Sequence, residues 1–178
     1  MKAAVLVNGV PASGKSSVAR ALAEATGFPL LTLDTIKEAL FAHLGTGDRN
    51  YNRMLGRASY EAIFALAGDF ADGATVIVDA WFGFQPPEVL RAHLKRGGLS
   101  RVVEIWCHAP ADVIGSRYGA RLGTRSSGHL GAEYVPELIE LAKHARPLGT
   151  FPLHEIDTTK PFATSETVAW LTAQLSDE

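Results

Sequence analysis

The stretch Gly9-Val10-Pro11-Ala12-Ser13-Gly14-Lys15-Ser16 has the form G-x-x-x-x-G-K-S, and what flanks it decides the fold. Ala3-Ala4-Val5-Leu6-Val7 before it is a short apolar run of the kind that makes a buried parallel strand. Ser17 to Ala25 after it is alanine-rich, carries Val18 and Leu22 four apart, and is stopped by Gly27 as a helix is stopped. Strand, glycine loop and helix in this order predict a phosphate cradle. Glycines let the backbone turn tightly, so N–H groups of Gly9, Ala12, Ser13, Gly14, Lys15, Ser16 and Ser17 can converge on phosphate oxygens. The helix N-terminus adds about half a positive charge at the same place. Lys15 then reaches the β- and γ-phosphates, and Ser16 offers its hydroxyl to Mg²⁺. A site for a nucleoside triphosphate is expected.

Working outward, 178 residues predict a single domain over 1–178 with room for a full core. Seventeen basic and nineteen acidic residues leave a net charge of −2, so no global field favours nucleic acid or an anionic membrane. The one cysteine, Cys107, ends an apolar run and can form no internal disulfide, which predicts a reducing cytoplasm. Met1-Lys2 is followed by five apolar residues, too few for a signal peptide. No apolar stretch approaches the ~20 residues that cross a bilayer. A soluble, cytoplasmic protein is expected, and its oligomeric state is left open.

The rest of the chain alternates. Pro29 to Asp34 reads as a second strand, and Ile36, Leu40 and Leu44 with Phe41 follow at helical spacing up to Gly45. Gly47 to Asn52 is a polar break, and 53–71 reads as a long helix with Leu55, Ala58, Ala62 and Leu66 on one face. Thr75 to Asp79 is a third strand, Pro86-Pro87 opens a helix carrying Leu90 and Leu94, and Arg101 to Cys107 is a fourth strand. Pro110 to Tyr118 reads as a helix, and Gly119 to Gly131, rich in Gly, Ser and Arg, as a mobile segment. Val135, Leu138, Ile139 and Ala142 mark another helix, Leu153 to Asp157 a fifth strand, and Val168, Leu171 and Leu175 a last helix. This predicts an α/β fold: a five-stranded parallel sheet sandwiched between helices.

Ligands of open α/β sheets gather outside the carboxyl ends of the strands, so those ends hold the candidates. Asp79 closes an apolar strand and is placed to hold Mg²⁺ beside Ser16, directly or through water; a turn former is the alternative. Asp34 closes the second strand and opens a helix, which suits an N-cap as well as a base for an acceptor hydroxyl. Arg117, Arg121 and Arg125 lie four apart and would share one face if the helix continued, aimed across the nucleotide or simply solvated. The glycines at 119, 123 and 128 suggest a lid that closes. Trp81, Phe82 and Phe84 follow Asp79 and could wall an organic acceptor or pack against the lid. His129 is either a substrate contact or a polar loop residue, and Arg49, Arg53 and Arg57 either bind an anionic acceptor or sit in solvent.

Taken together, five segments resemble the small P-loop kinases, near the zeta-toxin and chloramphenicol-phosphotransferase-like branch often labelled AAA-family ATPase. They are G-V-P-A-S-G-K-S at Gly9 to Ser16, L-D-T-I-K-E-A-L at Leu33 to Leu40, and V-I-V-D-A-W-F at Val76 to Phe82. R-Y-G-A-R-L-G-T-R-S-S-G-H at Arg117 to His129 and I-D-T-T at Ile156 to Thr159 complete them. The resemblance covers nearly the whole chain. It implies a P-loop NTPase fold with an Arg-rich lid at about 117–131 and an acceptor-binding helical region at about 35–70. It further implies that Asp34 serves as base or acceptor ligand, and that Arg117, Arg121 and Arg125 clamp the ATP phosphates and adenine. Asp157 and Thr158 would border the adenine. Such kinases act on sugars, antibiotics, polynucleotide ends and small acids, so the resemblance does not choose the acceptor.

The leading expectation is an ATP- and Mg²⁺-dependent kinase acting on the hydroxyl of a small molecule. A polynucleotide 5′-end kinase would want a basic channel with stacking aromatics, against which the charge of −2 argues. The remaining alternative is an ATPase or switch without transfer activity; the Asn-Lys-x-Asp guanine reader of a GTPase switch is absent from the sequence.

Overall fold

The computed structural model describes residues 1–124, 126 and 128–176. Five strands, β1 (Lys2–Asn8), β2 (Leu30–Thr32), β3 (Thr75–Asp79), β4 (Leu99–His108) and β5 (Leu153–Asp157), form one sheet in the order β2-β3-β1-β4-β5. Every neighbouring pair is parallel, which requires a crossover between strands and explains the alternation with helices. The helices are α1 (Lys15–Thr26), α2 (Leu33–Leu44), α3 (Arg49–Asp69), α4 (Pro87–Arg96), α5 (Ala111–Ala120), α6 (Val135–His144) and α7 (Thr164–Leu175).

Central β1 is apolar on both faces because both faces are covered. Ala4 and Leu6, with Val76 and Val78, pack under Tyr60, Phe64 and Leu90 from α3 and α4. Val5 and Val7, with Ile77 and Ile105, pack under Val18, Leu22 and Leu171 from α1 and α7. Each fully buried Leu or Phe contributes roughly 1.5–3 kcal/mol by area, so these two layers hold the sheet rigid beneath the site. A third cluster of Val10, Ala12, Ile114, Tyr118 and Leu138 seats α5 and α6 over the carboxyl edge. Among the described residues no helix is long and apolar enough to cross a membrane.

Several boundaries differ from the sequence expectation, each for a local reason. β2 ends at Thr32, and extended Thr32 occupies the N-cap position of α2, so Asp34 lies inside the first helical turn and is not the cap. A carboxylate there is still favoured by the helix dipole. The polar break before α3 is shorter than expected, because the Asp48 side chain accepts the Tyr51 N–H at 2.8 Å and starts the helix at Arg49. The inner face of α3 is Leu55, Ser59, Tyr60, Ile63, Phe64 and Ala67, and Leu66 is 47% exposed. Two aromatics and an isoleucine outweigh the alanines and leucines that defined the expected face.

α5 does not continue through the arginines. After Ala120 the chain passes into i→i−3 turns, with Leu122 N on Gly119 O at 3.2 Å and Thr124 N on Arg121 O at 3.0 Å. Arg117 and Arg121 therefore do not share a continuous helical face, and Arg125 lies outside the described residues. Gly128 and Leu130 are fastened down: Tyr118 donates to Leu130 O at 2.7 Å, and buried Gly128 sits so close to the Phe41 ring that a Cβ would collide with it.

Candidate active site

β1 ends at Asn8, buried and at the root of the loop. Its Oδ1 accepts from Gly9 N at 2.8 Å and from Phe82 N at 3.1 Å, tying the start of the phosphate loop to the turn after β3. Its amide Nδ2 donates to Glu104 Oε1 at 2.7 Å. Glu104, fully buried on β4, also takes the Leu148 N–H on both oxygens at 3.1 and 2.9 Å. Burial pushes its pKa up, and the hydrogen bonds from Asn8 and Leu148 work against that. Sequence reasoning missed this network. A lone acid between Val103 and Ile105 in a buried strand was the available signal.

The loop itself is shaped by backbone demands. A Cβ on Gly9 would collide with the Cys107 carbonyl and Ser13 Oγ. Gly14 is left-handed at φ 88° and precedes α1, with the Thr158 side chain filling the space a Cβ would need. Ala12 holds a positive φ of 65°, which costs of order 1–3 kcal/mol for a residue with a Cβ and is typical of functional loops. Ser13 Oγ is buried with no partner among the described residues.

Asp79, at the end of β3 beside β1, lies in the same cavity as Lys15, Ser16 and Asp34. Burial raises its pKa most, the Lys15 charge and a hydrogen bond with Ser16 lower it, and the Asp34 charge raises it again. Its Oδ1 is buried with no partner among the described residues. An orphaned carboxylate oxygen next to a hydroxyl is a donor set that fits Mg²⁺. Ser16 and Asp79 are the residues that could hold it.

The cavity has a volume of about 460 Å³. Beyond the phosphate loop, α2 contributes Asp34, Lys37 and Glu38, and α3 contributes Asn52, Arg53 and Gly56. Trp81 and Phe84 form the organic wall, whereas Phe82 is core, 2% exposed and packed edge-on against Tyr60. Across the opening, His129 Nε2 pairs with Glu38 Oε1 at 2.7 Å and its ring meets Phe41 edge to face, so His129 is joined to α2. Asn52 Nδ2 donates to the Gly128 carbonyl and fastens it to α3. Of the charged residues at 49, 53 and 57, Arg53 lines this cavity, while Arg49 pairs with Glu137 on α6.

Of the lid arginines, Arg121 lines the cavity. Arg117 is directed elsewhere: Nη1 donates to Thr158 Oγ1 at 2.9 Å and Nη2 to Thr158 O at 2.8 Å. Thr158 Oγ1 lies 2.7 Å from Ser13 O, so Arg117 braces the phosphate loop through Thr158. Asp157 is fastened by Thr159, whose hydroxyl and N–H hold its carboxyl well below the usual range. The Cys107 thiol is buried and its pKa is pushed up to about 12, which removes it as a nucleophile.

A family model described as an AAA domain matches residues 5–137. Among solved structures, a candidate kinase of Chloroflexus aurantiacus superposes with a TM-score of 0.84 at 28% identity, covering 98% of this chain and 99% of that one. A gluconokinase of Sinorhizobium meliloti gives 0.57 at 20% identity over 97% and 91% of the two chains, a likeness of fold alone. The uncharacterized protein Rv2004c of Mycobacterium tuberculosis is 30% identical over 164 residues, 88% of this chain. The match takes in only 32% of that protein, so the chain spans about a third of its curated relative. The resemblance and the fold class read from the motifs are both borne out: the architecture is that of a small P-loop kinase.

Proposed function

The chain belongs to the AAA domain family, and from that premise we propose that it is a kinase moving the γ-phosphate of ATP, with Mg²⁺, to a hydroxyl of a small molecule. What supports this reading is a single cavity in which Lys15, Ser16, Asp34 and Asp79 meet an aromatic wall of Trp81 and Phe84. A phosphate cradle alone serves any nucleotide-binding protein; a cradle opening onto a lined recess with a carboxylate serves transfer.

The amides of Ala12, Gly14, Lys15 and Ser16 and the Lys15 ammonium bind the polyphosphate, whereas the N–H groups of Gly9, Ser13 and Ser17 are spent on Asn8 Oδ1, Val10 O and Gly14 O and hold the loop in shape. Ser16 and Asp79 would hold Mg²⁺, which would supply charge screening for the phosphates. Asp34 orients the acceptor hydroxyl in line and accepts its proton as the new O–P bond forms and ADP departs. An ordinary carboxylate is a weak base for an alcohol, but the loose transition state makes proton transfer late. Arg121, with Arg125 in the lid at about 117–131, supplies positive charge as the γ-phosphoryl transfers, while Arg117 braces the phosphate loop through Thr158. Asp157 and Thr158 border the adenine, and the helical region at about 35–70 binds the acceptor. The segment fastened by His129 and Asn52 excludes water, which would otherwise take the phosphoryl group.

The test is transfer of γ-labelled phosphate from ATP to a panel of small hydroxylated acceptors. Asp34→Asn should lower turnover on the order of 10²–10⁴-fold while calorimetric binding of Mg·ATP stays unchanged. Unaltered turnover removes Asp34 from the mechanism, and ATP consumption with no labelled acceptor favours an ATPase.

A further inference from the structure

The acceptor half of the cavity is electrically uneven. Asp34, Lys37 and Glu38 follow one another at helical spacing on α2, and Phe41 continues the stripe. Glu38 is engaged by His129. The Lys37 ammonium is fixed in place, donating to Asn52 Oδ1 at 2.7 Å and standing 5.5 Å over the Phe41 ring. Arg53, next to Asn52 on α3, lines the same recess. Gly56, one turn further along α3, is buried in mid-helix, where glycine is a poor helix former. A Cβ there would find the Lys37 Nζ at 4.0 Å and nothing closer. The missing side chain leaves open the space that a ligand oxygen would need beside the ammonium.

We propose that this recess is a subsite for an anionic group of the acceptor, so that the substrate is a small hydroxylated acid whose acidic oxygens sit between Lys37 and Arg53 above Gly56. The inference rests on the kinase reading and adds the substrate class to it. The phosphate end is taken by the triphosphate, itself negative, and two cations, Lys37 and Arg53, stand at the other end to receive the acid. The substrate therefore enters in one orientation, hydroxyl toward Asp34. Residues three apart on a helix have Cβ atoms roughly 5–6 Å apart, so hydroxyl and acid are separated by a few bonds. A carboxylate and a phosphate monoester would both satisfy the two cations.

The experiment compares acids with their neutral counterparts in the transfer assay: D-gluconate with D-glucose, shikimate with its methyl ester, and glycerol 3-phosphate with glycerol. Labelled product from the carboxylates or from the phosphate ester, and not from the neutral counterparts, supports the subsite and says which anion it takes. For the acid that is used, Lys37→Gln and Arg53→Gln should each raise KM about tenfold or more, as loss of a charge-assisted hydrogen bond does. Affinity for Mg·ATP should hold, and Arg53→Lys should recover part of the loss. Gly56→Ala should raise the melting temperature and the acceptor KM together, a pairing that damage to the fold would not give. Neutral counterparts phosphorylated as well as the acids, with KM indifferent to Lys37 and Arg53, overturn the subsite and leave the kinase standing. No labelled product from any acceptor, with Mg·ATP bound, overturns the kinase reading and the subsite with it.

Discussion

Around Gly9 to Ser16 the site is made of backbone, whereas around Lys37, Asn52 and Arg53 it is made of side chains carried on two helices. The phosphate end needs particular residue types at particular positions, because Gly9 has no room for a Cβ and Gly14 is left-handed. The acceptor end needs only that α2 and α3 present suitable groups to one another, as Lys37 and Asn52 do at 2.7 Å. The first arrangement tolerates little change, and the second can be retuned one side chain at a time.

The difference can be broken most forcefully at Gly9. Gly9→Ala drives a Cβ into the Cys107 carbonyl and Ser13 Oγ, so the loop itself must move. Binding of Mg·ATP should disappear from calorimetry, with a stability loss of order 1–3 kcal/mol in denaturant titration. Retained nucleotide affinity would show that the loop is as adaptable as the acceptor end. The next largest effect belongs to Glu104→Ala, which strands the Asn8 amide and the Leu148 N–H in the interior at about 1–3 kcal/mol for each donor. Since Asn8 also holds Gly9 and Phe82, a lower melting temperature should be accompanied by weaker nucleotide binding.

A gentler probe is pH. Burial raises the Asp79 pKa, so the folded protein takes up that proton earlier than the unfolded chain as pH falls. The buried charge therefore costs stability at neutral pH, and the cost is relieved as pH drops through the raised value toward the ordinary carboxylate range. On the proposed kinase reading activity runs the other way, because a protonated Asp79 carboxyl would not hold Mg²⁺. The acid limb of kcat/KM should lie above the ordinary carboxylate range and move to lower pH as Mg²⁺ is increased; a limb indifferent to Mg²⁺ would separate Asp79 from the metal. The smallest effect is expected at Leu66→Gln on the outer face of α3, within about 0.5 kcal/mol by thermal unfolding.

Legibility follows the same division. The loop, the five strands and the carboxylate of Asp79 could be read because backbone geometry and burial leave few residue choices there. The Leu66 face of α3 was misread because alanines and leucines fit several helical stripes, and only docking against the sheet selects the one with Tyr60, Ile63 and Phe64. Asp48 as the start of α3 was readable in principle, since an Asp followed by helix formers is an N-cap pattern. The Lys37–Asn52 pair was not readable, because it depends on how α2 folds back onto α3. Likewise the spacing of Arg117 and Arg121 suggested a shared face, and α5 stops between them.

Cys107 has a use although it takes no part in the chemistry. Its sulfur is enclosed by the core and its acidity suppressed to a pKa of about 12, so maleimide and iodoacetamide reagents should pass over the native chain at neutral pH. A second cysteine at exposed Thr124 would then be the sole labelling point without any further mutation. A dye placed there would report on the surroundings of the turn after α5, with and without Mg·ATP, against a silent background.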